Sequence, residues 1–68
     1  MDYVVQRLQL GDVVLIDVPG QEEEVEAKVV RAIERTDTTV RALLRVEGRD
    51  DFVREWLLDA SVTVVRGP

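Results

Sequence analysis

The chain has 68 residues and a formal net charge of −5, with neither cysteine nor histidine. That length makes one small domain spanning residues 1–68. No disulfide or ordinary zinc site is available to staple it, and the acidic balance works against non-specific nucleic-acid binding. No apolar stretch nears the roughly 20 residues of a membrane span, and Met1-Asp2-Tyr3 is unlike the start of a secretory leader. A cytoplasmic protein without a cofactor or metal is expected.

In chain order, Tyr3 to Leu8 reads as a short first strand or an ordered arm. Gly11-Asp12 turns the chain into a strand over Val13–Val18, apolar on both faces and so central or shared between sheets. Pro19-Gly20 is a turn. Gln21–Arg35 has two readings. As a helix it aligns Val25, Val29 and Ile33, with Glu22, Glu23 and Glu24 at the positive end of the dipole. As a strand it puts Val25, Ala27, Val29 and Ile33 on one face.

The segment that follows favours the strand. Val40, Ala42, Leu44 and Val46 alternate with Arg41, Leu43, Arg45 and Glu47. A hairpin around Asp37-Thr38 sets Ile33 against Ala42 and Val29 against Val46. On the other face it sets Glu34 against Arg41 and Lys28 against Glu47. Apolar pairs on one face and ion pairs on the other are how antiparallel strands stabilise each other. Arg31 then falls on the apolar face, and a bulge near Val30 is expected to turn it outward. Asp50–Leu58 is a helix capped by Asp50 or a strand after a Gly48-Arg49 turn. Leu58-Asp59-Ala60-Ser61 is a tight corner, and Val62–Arg66 is a last strand closing the sheet.

The order of these runs resembles the SH3-like small β-barrels. The resemblance rests on Leu10-Gly11-Asp12-Val13-Val14, on Ala27-Lys28-Val29-Val30-Arg31-Ala32-Ile33 and on Val62-Thr63-Val64-Val65. It implies an all-β, five-stranded SH3-like barrel; the alternative is an α+β fold with a helix over 21–35, over 50–58, or both. It does not extend to the KOW type, because Glu22–Ala27 has no glycine and four acids. Nor does it extend to a methyl-lysine cage, because Tyr3, Phe52 and Trp56 lie in separate segments.

Catalysis is not expected: the usual neutral-pH base and nucleophile are absent, and Ser61, the lone serine, reads as a corner residue. Glu22, Glu23, Glu24 and Glu26 read as a solvated hairpin end that resists aggregation. Their functional reading is an acidic face for a basic partner or a weak divalent site. A two-residue Gly48-Arg49 turn would pair Phe52 with Arg45 and Trp56 with Arg41, all facing outward. Together with Arg54 they would form a protein-binding surface of aromatic rings and guanidinium groups. A one-residue slip would put Phe52 and Trp56 inside and Val53 and Leu57 outside, and buried area favours that arrangement. The expected function is a protein-interaction module or a subunit of a larger assembly. The alternatives are a nucleic-acid-binding barrel using the arginine stripe and a self-associating protein.

Overall fold

A computed structural model describes residues 2–68, with Ala32 described in its backbone only. The chain is all-β. Six strands, β1 (Asp2–Val4), β2 (Val13–Ile16), β3 (Val25–Arg35), β4 (Thr39–Arg45), β5 (Phe52–Leu57) and β6 (Ser61–Arg66), form one antiparallel sheet. Its order is β1-β6-β2-β3-β4-β5. The sheet curls into a half-barrel.

Two expectations change here. Among the described residues there are six strands instead of five, because Asp2–Val4 adds itself to β6. The sheet also does not close strand to strand; β1 and β5 remain its ends. A 3-10 turn, Val5–Arg7, follows β1 and fills the concave side, where Val5 and Leu8 are fully buried. Arg35 anchors this plug by donating from Nη2 to the carbonyls of Gln6 and Leu8, each at 3.1 Å. The curled sheet is therefore sealed by side chains and by a turn whose exposed carbonyls a guanidinium satisfies.

Residues 25–35 are extended, as the pairing with β4 requires. Val29 and Ala27 face inward from β3, meeting Val14 and Ile16 of β2, Val40, Ala42 and Leu44 of β4, and Val62 and Val64 of β6 in one core. The hairpin turns at Asp37-Thr38, where Thr36 Oγ1 accepts from the Thr38 and Thr39 amides. Near that turn the register is the expected one, with Glu34 opposite Arg41. Two irregularities then intervene, between Val29 and Arg31 and between Arg31 and Glu34. They turn Arg31 out to solvent, as expected from a bulge near Val30. Beyond them the pairing has moved: Val29 opposes Leu44 instead of Val46, and Lys28 opposes Arg45 instead of Glu47. The bulged strand bends more sharply than a regular one, which helps so narrow a sheet to curl.

Leu10-Gly11-Asp12 is a structural corner. Gly11 has φ +92°, a region that favours glycine, and its amide donates to the Val29 carbonyl at 2.8 Å. A Cβ there would sit 2.9 Å from the Pro68 side chain. Asp12 is buried, and its carboxylate accepts from the Gln9 amide at 2.9 Å.

Candidate interaction surface

The second hairpin sets the candidate surface. Its tight turn runs from Val46 to Arg49, whose amide donates back to the Val46 carbonyl at 3.1 Å, with Gly48 at φ +82°. Asp50 and Asp51 follow before β5 begins. The register that results is Leu44 opposite Phe52, Ala42 opposite Arg54 and Val40 opposite Trp56. The expected pairs Phe52–Arg45 and Trp56–Arg41 are thus displaced by one residue. The reason is area: the displaced register lets a phenyl and an indole cover the core, where the other would have covered it with a valine and a leucine.

The five residues expected to make one contact surface are consequently divided. Phe52, Arg54 and Trp56 lie on the concave face, each half-buried, with Phe52 and Trp56 packed on the core. Arg54 stands opposite the small Ala42, and its guanidinium carbon is 5.9 Å from the Trp56 ring centroid. Arg41 and Arg45 lie on the convex face, both exposed. There Arg41 meets Glu55 at 3.5 Å, and Arg45 forms a bidentate pair with Asp51 at 2.9 and 3.0 Å. Lys28, a like charge, lies opposite Arg45 across the sheet. Hydrogen bonding to Arg45 holds the Asp51 carboxyl below the usual aspartate range, and raises the Arg45 guanidinium in turn.

The convex face also holds Val53 and Leu57, outside as the slipped register implies but not among the residues expected to make the contact surface. Val53 is 57% exposed and Leu57 65% exposed, large values for residues of this kind. Leu43 lies directly opposite Val53 and is half-buried. Arg31 is opposite Leu43, and Arg41 flanks the group, so Arg31, Arg41, Leu43 and Val53 share one shallow hollow, with Glu34 also on its rim. A signal for this was present in the chain: β5 is apolar on both of its faces, and one of them had to remain outside.

The acidic residues are dispersed. Glu22, Glu23 and Glu24 are exposed in the connection between β2 and β3, whereas Glu26, on β3, pairs with Arg66 at 3.1 Å. Among the described residues, no group of three or more acidic side chains is placed to hold a metal ion. A second cleft opens where that connection meets the β4–β5 turn, lined by Asp17, Pro19, Arg49, Phe52 and Arg54, so its charges are mixed. Among the described residues, no helix is long and apolar enough to cross a membrane. Compared with known proteins, the chain matches no family model, no curated protein and no solved structure.

Proposed function

We propose that the protein is a non-catalytic protein-interaction module on an SH3-like plan, with its contact surface on the convex face of β4 and β5. The observation that supports this most is the exposure of Val53 opposite Leu43 between Arg31 and Arg41, with Leu57 exposed further along the same face, beyond the Arg41–Glu55 pair. Exposed aliphatic groups beside guanidinium groups suit a partner with an apolar patch rimmed by carboxylates. The SH3-like plan is supported by β2 to β6, a meander whose last strand returns beside its first, with β1 outside it. The revised surface keeps Arg41 and Arg45 and replaces Phe52 and Trp56 with Leu43, Val53 and Leu57.

The arginine stripe is a weaker basis for binding nucleic acid. Arg41 and Arg45 already face Glu55 and Asp51, so phosphates would have to displace carboxylates.

The test compares proteins that co-purify with the wild type and with a Val53→Asp/Leu57→Asp variant. Both side chains point to solvent, so the variant is expected to keep its fold and to lose its partner at least tenfold, given the usual cost of losing central apolar contacts, about 2 kcal/mol. Equal recovery by a folded variant would overturn the surface. Retention of RNA or DNA on filters, falling steeply with salt, would favour the nucleic-acid reading instead.

A further inference from the structure

β5 is the longer of the two strands that end the sheet, with six residues against three in β1. The hydrogen-bond phase of its free edge follows from a single bond. The Leu58 amide donates to the Thr38 carbonyl at 3.1 Å, which continues the register Thr39–Leu57 and Val40–Trp56 by one step. Bonded and non-bonded pairs alternate along an antiparallel ladder. Phe52, Arg54 and Trp56 therefore bond to β4, while the backbone groups of Val53, Glu55 and Leu57 point to the open edge. Of these, the Leu57 carbonyl is already used by the Ala60 amide at 3.0 Å.

We infer that two copies of the chain associate through this edge, β5 against β5, in an antiparallel pairing centred on Glu55. A two-fold axis normal to the sheet requires each residue to face one on the same side of the sheet, which limits the possible registers. With Glu55 opposite Glu55, Val53 of each copy faces Leu57 of the other, and Arg54 faces Trp56. The Glu55 amide then donates to the Glu55 carbonyl in both directions, and the Leu57 amide to the Val53 carbonyl in both directions. Apolar side chains meet on the convex face, and guanidinium meets indole on the concave face.

The neighbouring register, centred on Arg54, places two half-buried guanidinium groups side by side and faces Val53 with Glu55. In the register chosen, the like charges at the axis are exposed Glu55 carboxylates, each with its own Arg41 at 3.5 Å. Charged residues on an edge strand ordinarily discourage such pairing; here both Arg54 and Glu55 have partners that offset the repulsion. The dimer would present both convex faces on one side and draws on Val53 and Leu57, which the proposed partner surface also uses; Glu55→Pro separates the two, because it removes the edge pairing and leaves both side chains in place.

Sedimentation velocity over a wide range of concentration tests this. The wild type is expected to show a monomer–dimer equilibrium that stops at two. Glu55→Pro removes an amide that points to the open edge, so the monomer keeps its ladder to β4. It is expected to be monomeric throughout, with wild-type circular dichroism. Glu55→Gln relieves the repulsion at the axis and is expected to tighten the dimer by up to about fivefold. Should Glu55→Pro fail to fold, amide exchange of the wild type replaces it, with Glu55 and Leu57 slowing as concentration rises. A strict monomer, an open-ended series of oligomers, a dimer surviving in folded Glu55→Pro, or exchange at Glu55 independent of concentration would each overturn the proposal.

Discussion

Asp12 and Asp51 are both hydrogen-bonded carboxylates, and their surroundings give them different weight. Asp12 is buried in the corner before β2, where it accepts the Gln9 amide while its own backbone carbonyl accepts from Val29 at 2.8 Å. Replacing it with alanine removes a charged acceptor from a part-buried hydrogen bond, so Asp12→Ala is expected to cost about 1–3 kcal/mol. Asp12→Asn, which retains an acceptor, is expected to cost less; urea denaturation of the two variants measures the difference. Asp51 pairs with Arg45 at the surface, and solvent keeps the worth of that pair small. Its carboxyl is lowered, so the pair's contribution is whole above the ordinary aspartate value of about 3.9 and is lost as pH falls through the lowered folded value. In an NMR titration the Asp51 midpoint is expected to lie below the ordinary range. In Arg45→Gln it should rise; an unchanged midpoint would remove Arg45 as the cause.

At the scale of elements, the sheet depends on two devices that no single strand contains. One is the pair of irregularities in β3, which send Arg31 outward and shift the far end of the hairpin onto Leu44 and Arg45. The other is the plug formed by the Val5–Arg7 turn. It is held by Arg35 and by the Val5 amide, which donates to the Ala60 carbonyl at 2.8 Å. Arg35→Ala leaves both plug carbonyls to water and is expected to cost about 1 kcal/mol. The loss should be local: amide exchange at Val5 and Leu8 should accelerate while that of β3 and β4 stays slow. Uniform acceleration would mean that Arg35 supports the whole sheet and not the plug in particular.

The whole molecule has little core to spare. Its buried cluster is mostly valine, and Leu44 and Leu8 are the largest side chains fully inside. A domain of this length is stable by roughly 3–10 kcal/mol. Leu44→Ala removes a leucine facing Phe52 and Val29 and is expected to cost about 2–5 kcal/mol. The melting temperature should then fall by at least about 8 °C, which a thermal melt followed by circular dichroism would detect. A melting temperature near that of the wild type would mean that Phe52 collapses into the space.

The sequence by itself favoured an all-β chain, placed most of the turns and foresaw the outward turn of Arg31, while residues 21–35 and 50–58 stayed open between strand and helix. Gly-Asp, Pro-Gly and Asp-Thr breaks and the alternation of residues 40–47 are local signals, and the extended reading of residues 21–35 with Arg31 on an apolar row followed from pairing them with that alternation. Buried area favoured the aromatic face of β5 as the covered one, and tertiary structure settled it. Phe52 and Trp56 alternate with Val53 and Leu57, so the apolar pattern reads the same in either register, and only the larger area of the aromatic rings against Leu44 and Val40 separates the two. The plug was hidden, because Val5, Leu8 and Arg35 are adjacent only after the sheet has curled.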